Sequence, residues 1–401
     1  MIEISAVDEL ELTGQKIFYR VDYNVPMEKG EISDTTRIEE TLPTLLMMRE
    51  RGAVIIIASH LGRPKGKRNE EYSLRPVRDE VADLLNLDIQ WADDCVGPEV
   101  EAKASSLGPG QILMLENLRF HAEEEGNDDS FARSLRKLAD VYVNDAFGAC
   151  HRAHASIVAL PNLYEKGKKA GGLLLVNELR FLQKITHVSD RPFVAVLGGA
   201  KIAGKIEPLE ALVKLADKVL VGGGMANTFL ASQGTDLGAS LVDAESKEIA
   251  ARIIKDGGDK VILPVDLVVT DSIENATNIR RVDVTDKFGS ADRAVDIGPK
   301  TVERFAGEIA AARTIFWNGP MGVFEKEEFA AGTRAVAQAV AAANAISVVG
   351  GGESVEAAKS SGHSERISHI STGGGASLEF IAGSELPGVQ VLRKDVDGAG
   401  D

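Results

Sequence analysis

Short apolar runs alternate with longer helical patterns along this chain, and this alternation limits the fold more than any other feature of the sequence. Runs rich in Val and Ile predict buried strands, and in the first half they occupy 16–21, 53–58, 112–115 and 141–143. The pattern resumes after residue 190, with runs at 193–197, 218–221, 260–265, 314–317 and 346–349. Helical stretches such as the alanine-rich 329–343 separate these runs. The alternation predicts an α/β fold with parallel sheets covered by helices on both faces.

The stretch 171–185, GGLLLVNELRFLQKI, lies between the two series of strands and predicts one helix with a sustained apolar stripe. A length of 401 residues favours two or three domains. We interpret the helix as a bridge between two domains. Its periodicity alone equally allows an ordinary core helix of one domain.

The net charge of −16 argues against non-specific binding of nucleic acid, which depends on basic surface. An anionic substrate would therefore need a local basic cluster, and adaptation to a high-salt cytoplasm is one hypothesis for the acidity. The two cysteines cannot form a disulfide framework. The N-terminal sequence does not resemble a signal peptide, and no run is long enough to cross a bilayer. We expect a cytoplasmic protein without membrane or nucleic-acid partners.

Polar motifs follow the apolar runs at the points where the strands are predicted to end. They are RVDYN, SHLGRP, LENLRF and VNDAFGACHRAH in the first half, and LGGAK, GGGM, WNGPMG, GGGES and STGGGAS in the second. Open parallel sheets bind ligands at the carboxyl ends of their strands. The motifs therefore predict two facing binding surfaces, one in each domain.

The motifs of the first half gather basic side chains: Arg20, Arg37, Arg63, Arg119, Arg152, His60, His151 and His154. Arginine binds carboxylate and phosphate in bidentate fashion, although a single arginine is more often a surface ion-pair partner. Asp22 and Asn24 add groups that can hold a hydroxyl. Together they predict a small, doubly anionic ligand with a hydroxyl. The histidines could act as general bases, but neutral donors to the anion are favoured.

The motifs of the second half gather glycines, in the runs 222–224, 350–352 and 373–375. Glycine lets backbone amides approach an anion closely, and a helix N-terminus adds unpaired N–H groups. The runs predict a cradle for phosphate oxygens. Lys201 and Lys205 would lie on one face if a helix begins at this point, and could meet successive phosphates.

A P-loop is the main enzymatic alternative, because Gly199–Lys205 spells G-x-x-x-x-G-K. The next residue is Ile206, where the motif needs Ser or Thr to hold the metal. Asp266, after the run 260–265, is a weak candidate for the acidic partner of that motif. No dinucleotide-binding G-x-G-x-x-G follows a predicted strand, which disfavours a dehydrogenase.

In order and spacing, RVDYNVP, SHLGRPKG, LENLRF, VNDAFGACHRAHAS, GGAKIAGKI, GGGMANTF, WNGPMGVFE and STGGGAS resemble the phosphoglycerate kinase family. The resemblance runs from about Arg20 to Ser377. It implies two similar-sized, Rossmann-like, doubly wound parallel-sheet domains joined by a helical hinge. The implied boundaries are 1–170 for the acid-substrate domain, 171–187 for the hinge helix and 188–384 for the nucleotide domain, with 385–401 packing back on the first domain.

The resemblance also implies functional residues. The positions matched to 3-phosphoglycerate binding are Asp22, Tyr23, Asn24, Arg37, His60, Leu61, Gly62, Arg63, Arg119, His151 and Arg152. Those matched to nucleotide binding are Lys201, Lys205, Gly222, Gly223, Asn318, Val323, Glu325, Gly351, Gly352, Glu353 and Ser354. Glu353 is also the implied Mg²⁺ ligand. The groups implied to surround the transferring phosphoryl are Arg37, Lys201, Lys205 and the amides of Gly352 and Gly375.

The implied reaction is reversible, Mg²⁺-dependent transfer of a phosphoryl group between 1,3-bisphosphoglycerate and ADP, giving 3-phosphoglycerate and ATP in glycolysis and gluconeogenesis. A monomer is expected. The alternatives are a P-loop-type NTPase and a non-catalytic scaffold with the same fold. Four positions depart from the family pattern and bear on nucleotide affinity and metal geometry: Glu353 for Asp, Ser354 for Thr, Gly204 for Asp and Ala294 for Gly.

Overall fold

The computed structural model describes residues 2–394, which divide into two compact units. Unit 1 contains the chain up to Arg180 and the segment from Glu385, and unit 2 is Phe181–Ser384. The stretch 395–401, which the sequence analysis assigns to a returning tail, lies outside the described residues. Within residues 2–394, every helix is too short or too polar to cross a lipid bilayer.

The strands of unit 1 are β1 (Lys16–Arg20), β2 (Met27–Glu28), β3 (Glu31–Ile32), β4 (Val54–Ala58), β5 (Ile89–Trp91), β6 (Ile112–Met114), β7 (Val141–Asn144) and β8 (Lys169–Gly171). Six of them form a parallel sheet in the order β5-β6-β4-β1-β7-β8, and β2 and β3 pair as an antiparallel hairpin. The chain extends from β1 to β4 on one side and to β7 on the other. This reversal beside β1 is the position where open α/β sheets form a binding crevice.

The helices of unit 1 before the division are α1 (Thr36–Glu39), α2 (Leu42–Glu50), α3 (Arg75–Leu85), α4 (Pro98–Ser106), α5 (Ala122–Glu125), α6 (Asp129–Arg136) and α7 (Leu160–Asn162). Particular residues fix where these helices begin and end. The Asp128 carboxylate accepts a hydrogen bond from Phe131 N at 2.8 Å at the start of α6, and Asn86 ends α3 in the left-handed conformation.

The helix predicted over 171–185 is present as α8 (Leu173–Thr186), and the division between the units falls inside it. Its first turn is held by Asp145, which follows β7 and accepts a hydrogen bond from Leu175 N at 2.9 Å. Tyr19 of β1 donates to the same carboxylate at 2.8 Å. The start of α8 is thus tied to the central strands of unit 1.

The strands of unit 2 are β9 (Phe193–Leu197), β10 (Lys218–Val221), β11 (Val261–Ile262), β12 (Asp266–Thr270), β13 (Ile279–Asp283), β14 (Arg293–Ile297), β15 (Thr314–Asn318), β16 (Ile346–Gly350) and β17 (His369–Ile370). The main sheet is parallel, in the order β11-β10-β9-β15-β16-β17. Its winding reverses between β9 and β15. The helices of unit 2 are α9 (Ile206–Leu215), α10 (Gly223–Ser232), α11 (Lys247–Gly257), α12 (Pro299–Ala311), α13 (Ala331–Ala342), α14 (Gly352–Ser360) and α15 (Gly375–Ile381).

The run 260–265, predicted as one strand, is divided in the structure. The parallel strand β11 ends at Ile262, and after Pro264 the chain enters β12, the centre of an antiparallel sheet in the order β13-β12-β14. Proline has no N–H to donate to a neighbouring strand, so it separates the two ladders. This second sheet was not predicted from the sequence.

The apolar runs form the cores of the two units. Every residue of β4 is buried, and the aliphatic residues on one face of β1 and β4 pack with α2 and α3. In unit 2, Trp317 of β15 is fully buried among side chains from α12 and α13. The last helix, α16 (Pro387–Gln390), belongs to unit 1, where Gly388 N donates to Cys150 O at 2.9 Å.

Candidate functional site

Arg20 is the last residue of β1, and its side chain is fully buried at the carboxyl edge of the unit 1 sheet. Its Nε donates to Ser156 Oγ at 2.8 Å, its Nη2 lies 3.2 Å from His60 Nδ1, and its Nη1 donates to Val21 O. Ser156 in turn donates to the buried carboxylate of Glu124 at 2.6 Å. These bonds fix the guanidinium in place, as a buried cation requires.

His60 and His154 are buried beside this cation. Burial, together with the charges of Arg20 and Arg119, lowers the pKa of His60 well below its usual range. Burial and the same two arginines lower the pKa of His154 to about 3. Both rings are therefore neutral near pH 7. They can donate or accept hydrogen bonds at an anion, and they do not act as cations.

Arg37, near the start of α1, forms an ion pair with Asp22, which follows β1. Asp22 Oδ1 lies 3.9 Å from His60 Nδ1, so the pair adjoins the histidine. Arg119 donates to Gly62 O at 2.8 Å, and its Nε lies 3.5 Å from a Glu125 oxygen. The segments after β1, β4, β6 and β7 therefore bring three arginines and two neutral histidines together at one edge of the sheet.

Other predicted acid-site residues contribute differently. The Tyr23 hydroxyl lies in the core, 2.9 Å from Thr41 Oγ1, and Tyr23 N donates to Ser59 Oγ at 2.8 Å. The Leu61 side chain is buried, and its carbonyl accepts from Asn117 Nδ2 at 2.8 Å, so both residues shape the loops in this structure. Asn24 Oδ1 accepts from Gly62 N at 2.8 Å and shapes the loop after β4. Arg63 is exposed, and Arg152 Nε donates to His151 Nε2 at 3.1 Å.

A cavity of about 600 Å³ lies at the carboxyl edge of the unit 2 sheet. Its lining includes Gly223, Val323, Glu325 and Glu353 of the predicted nucleotide residues, together with Ala294. Gly222 stands at the start of α10 and contributes its backbone there. The mixture of glycine backbone and apolar side chains is suited to a flat ring and an attached chain of polar groups.

A smaller cavity of about 260 Å³ is lined by Lys205, Asn318, Gly351, Gly352, Glu353, Ser354 and Gly375. Gly351 precedes α14 with φ of +93°, and a Cβ on it would stand 2.7 Å from Asn318 Nδ2. Only glycine fits there. As at the start of any helix, the first N–H groups of α14 have no partner within the helix and can meet a ligand. Glu353 lines both cavities, so the two adjoin at this residue.

Lys205 is partly buried, and its Nζ donates to Asn318 Oδ1 at 3.1 Å and to Gly198 O at 3.3 Å. Burial lowers the pKa of this ammonium, while Glu353 opposes the change. The expectation that a helix places Lys201 and Lys205 on one face is wrong, because α9 begins at Ile206. Lys201 lies exposed on the preceding loop.

The Ser354 hydroxyl is fully buried and accepts a hydrogen bond from Gly319 N, so it also holds two loops together. Sequence reasoning named neither this bond nor the support that Ser156 and Glu124 give Arg20. Ser156 closes the motif VNDAFGACHRAHAS, and this position in a site motif was the available signal. Glu124 lies in a run of three glutamates that looks like solvated surface, so nothing in the sequence distinguished it.

Glu353 is a single carboxylate at the edge of the phosphate cavity. Within residues 2–394 it belongs to no cluster of three or more potential metal ligands. Mg²⁺ keeps most of its water and binds through one or two carboxylates and substrate phosphates, so a lone carboxylate beside a phosphate cradle fits this ion.

Asp266, the candidate acidic partner of a P-loop, has other contacts in the structure. Asp266 is buried and accepts from Thr301 N at 2.8 Å, from Thr301 Oγ1 at 2.7 Å and from Lys300 N at 3.1 Å. These bonds cap the start of α12. Asp266 therefore has a structural role away from Gly199–Lys205.

A family model described as phosphoglycerate kinase matches residues 7–384. A phosphoglycerate kinase from Solibacter usitatus is 50% identical over 394 residues, covering 97% of this chain and 99% of the relative. One from Moorella thermoacetica is 50% identical over 389 residues, covering 96% and 98%. The solved structure from Coxiella burnetii has a TM-score of 0.86 at 37% identity over 97% of this chain and 99% of that one. That from Pyrococcus horikoshii has a TM-score of 0.88 at 33% identity over 97% and 98%.

Proposed function

The chain belongs to the phosphoglycerate kinase family, and on this premise we propose how its own residues perform the reaction of that family. The enzyme transfers a phosphoryl group between 1,3-bisphosphoglycerate and ADP, giving 3-phosphoglycerate and ATP. The observation that carries the proposal is the convergence of Arg20, Arg37 and Arg119 around the neutral His60 in a chain of net charge −16. Such a cluster offers an anion a local positive site on an acidic protein.

Unit 1 holds the three-carbon acid. Arg119, Arg63 and Arg152 supply charge for its phosphate, and the neutral rings of His60 and His154 donate hydrogen bonds. Asp22 and Asn24, at the loop after β1, accept the hydroxyl of the acid. The Arg20 guanidinium is hydrogen-bonded to Ser156 and His60 inside the protein. Its role is therefore to orient His60 and to supply positive electrostatic potential at the site without contacting the ligand.

Unit 2 holds the nucleotide. Its base and ribose occupy the larger cavity, with Glu325 on the ribose hydroxyls, and its phosphates occupy the smaller one. Lys205, the free amides at the start of α14 and the backbone of Gly375 meet the phosphate oxygens. Glu353 would hold Mg²⁺. The ion supplies neutralisation of phosphate charge when it is bound.

The reaction needs no general base, because the attacking groups are an ionised carboxylate in one direction and a phosphate oxygen in the other. The chain's task is to position the two ligands in line and to neutralise charge on the migrating group. Arg37 contributes a guanidinium that exchanges its Asp22 partner for the migrating phosphoryl. Donors of this kind contribute roughly 10²–10³ in rate.

We further propose that the enzyme works as a cytoplasmic monomer, without nucleic-acid or membrane partners. This rests on the family's role in glycolysis and on two free, buried thiols typical of a reducing compartment.

A coupled assay tests the function. The purified chain is mixed with 3-phosphoglycerate and MgATP, and formation of 1,3-bisphosphoglycerate is followed through reduction by a dehydrogenase. We expect ADP release that depends on the acid and on Mg²⁺. ATP hydrolysis without the acid would favour an NTPase, and no turnover with intact fold would favour a scaffold.

A further inference from the structure

Asp94, Cys95 and His121 form a mixed cluster at the carboxyl ends of β5 and β6, outside the substrate sites described above. The carboxylate oxygen, thiol sulfur and imidazole nitrogen of the three residues lie within 4.8 Å of one another. Asp94 and Cys95 follow β5, and His121 follows the turn after β6. The cluster therefore joins two loops that are separate in sequence.

We propose that this cluster is a binding site for a borderline-soft divalent ion of the zinc class. One thiolate, one imidazole and one carboxylate are the donors that Zn²⁺ takes in proteins, with water as the fourth ligand of a tetrahedral site. Mg²⁺ takes oxygen ligands, so this ion would differ from the one that accompanies the nucleotide.

The present contacts place the donors close to a ligand geometry. Asp94 Oδ1 lies 2.7 Å from His121 Nε2 and accepts from Cys95 N at 2.6 Å. In a tetrahedral zinc site with bonds of about 2.0–2.3 Å, neighbouring donor atoms stand about 3.3–3.6 Å apart. Small side-chain rotations reach that spacing from the arrangement observed. The ion would take the place of the protons on sulfur and nitrogen, which leave to solvent.

The residues around the cluster orient the His121 ring and leave a path for an ion from solvent. The His121 ring stacks on Phe131 with centroids 5.2 Å apart, which fixes the plane of the imidazole. The Asp94 side chain is 51% exposed and that of His121 is 27% exposed, so an ion can enter from solvent above the buried thiol. Glu123 and Glu124 lie two and three residues after His121 in α5. On the other side, Arg68 donates to Asp93 O at 2.6 Å, and Arg75 and Lys103 lie 3.1 and 3.9 Å from the Asp93 carboxylate.

The test uses the untagged full chain, freed of metal and titrated with Co²⁺. We expect one ion per chain, with a thiolate-to-cobalt charge-transfer band and the strong visible absorption of four-coordinate cobalt. Zn²⁺ should remove both signals, and excess Mg²⁺ should leave them. Absence of a thiolate band, or displacement of Co²⁺ by Mg²⁺, would overturn the proposal.

Variants identify the ligands. Cys95→Ser should abolish the charge-transfer band, whereas Cys150→Ser, which changes the other buried thiol, should leave it. Asp94→Asn and His121→Gln should each weaken Zn²⁺ binding at least tenfold, whereas the neighbouring Asp93→Asn should not. The Asp94 and His121 variants change exposed or half-exposed side chains, so the test stands even if Cys95→Ser fails to fold. Unchanged Zn²⁺ affinity in both of them would exclude this site.

Discussion

Arg20 shows how a single residue can serve a site without facing its ligand. Its guanidinium is fully buried and bonded to Ser156, His60 and Val21 O, and Ser156 links it to Glu124. A buried charge costs free energy unless its hydrogen bonds are satisfied. The sequence predicted an arginine at this edge, but the division between internal and ligand-facing arginines depends on contacts with Ser156 and Glu124, which are distant in sequence.

Arg37 is the first residue to test. Arg37→Ala should lower kcat by about 10²–10³ while the KM for 3-phosphoglycerate changes little, because the guanidinium acts mainly on the migrating group. Steady-state kinetics with the coupled assay measures both. Arg51→Ala is the control, since the guanidinium of this exposed arginine donates to Asp8 O at 3.0 Å and belongs to no predicted site. Near-normal turnover of Arg37→Ala would remove Arg37 from the transition state.

Lys205→Met should weaken MgADP binding by at least tenfold, because a partly buried ammonium beside the phosphate cavity is lost. Calorimetric titration measures the dissociation constant. Lys214→Met, on the exposed face of α9, is the matched control and should bind like the original chain. Equal affinity in the two variants would show that the cradle does not use Lys205.

His154 gives a pH prediction. Its folded pKa of about 3 lies below the value of about 6.5 expected in the unfolded chain, so the unfolded chain binds a proton that the folded one excludes. Its contribution to stability is full above pH 6.5 and is lost as the pH falls toward 3. His154→Gln removes this term, so the difference in unfolding free energy between the two proteins should change by up to about 1.4 kcal/mol per pH unit.

The measurement for His154 is urea unfolding at pH 7.5, 6.5 and 5.5, followed by circular dichroism. Taking the difference between the two proteins cancels groups that do not interact with His154, including Asp145, whose pKa is raised by burial to about 6 and which acts in the opposite direction. If the unfolding free energies of the original chain and of His154→Gln changed equally with pH, the prediction that His154 is neutral in the folded protein would be wrong.

At the scale of elements, the apolar runs predicted the inner strands of both parallel sheets, because each of those strands is buried and takes one run, but no run indicated the edge strands β5, β8 and β17. Run 53–58 became β4 and run 193–197 became β9. The antiparallel sheet escaped prediction because β13, IRRVD, is mostly exposed or half-buried and carries two arginines. Lys205 precedes α9, which begins at Ile206. The direction of the Lys205 side chain could therefore not be predicted from helical spacing.

The cap of α12 yields an element-scale prediction. Asp266→Ala leaves two N–H groups and the Thr301 hydroxyl without this acceptor, which should lower the unfolding free energy of unit 2 by about 1–3 kcal/mol. Urea unfolding is followed by the fluorescence of buried Trp317 in a Trp91→Phe background. Asp286→Ala, an exposed turn residue, should change stability little. Loss of nucleotide binding at unchanged stability would instead support the P-loop alternative.

At the scale of the whole molecule, each unit combines a doubly wound parallel sheet with polar loops at the carboxyl edge of its strands. Both reversals of strand order, beside β1 and between β9 and β15, carry predicted site residues. This placement was predictable from sequence because the motifs at these reversals directly follow apolar runs. The position of the division inside α8 could not be predicted from sequence, because the apolar stripe of this helix is continuous across Arg180 and Phe181.

The excess of 61 acidic over 45 basic residues gives the final prediction. Like charges repel across the surface, and the Debye length falls from about 30 Å at 0.01 M salt to about 8 Å at 0.15 M. Weakening this repulsion by roughly 1 kcal/mol over this range of KCl should raise Tm by about 2–4 °C, the shift that 1 kcal/mol causes in domains of this size. Exposed ion pairs such as Lys326–Glu274 weaken over the same range, but each is worth less than about 1 kcal/mol.

Thermal unfolding followed by circular dichroism at a series of KCl concentrations measures the salt effect. If simple repulsion is the cause, Tm should level off once the Debye length is shorter than the spacing of surface charges. A Tm and a turnover that continue to rise into molar KCl would instead support adaptation to a high-salt cytoplasm. A fall in Tm between 0.01 M and 0.15 M would mean that favourable ion pairs outweigh the repulsion of 16 excess negative charges.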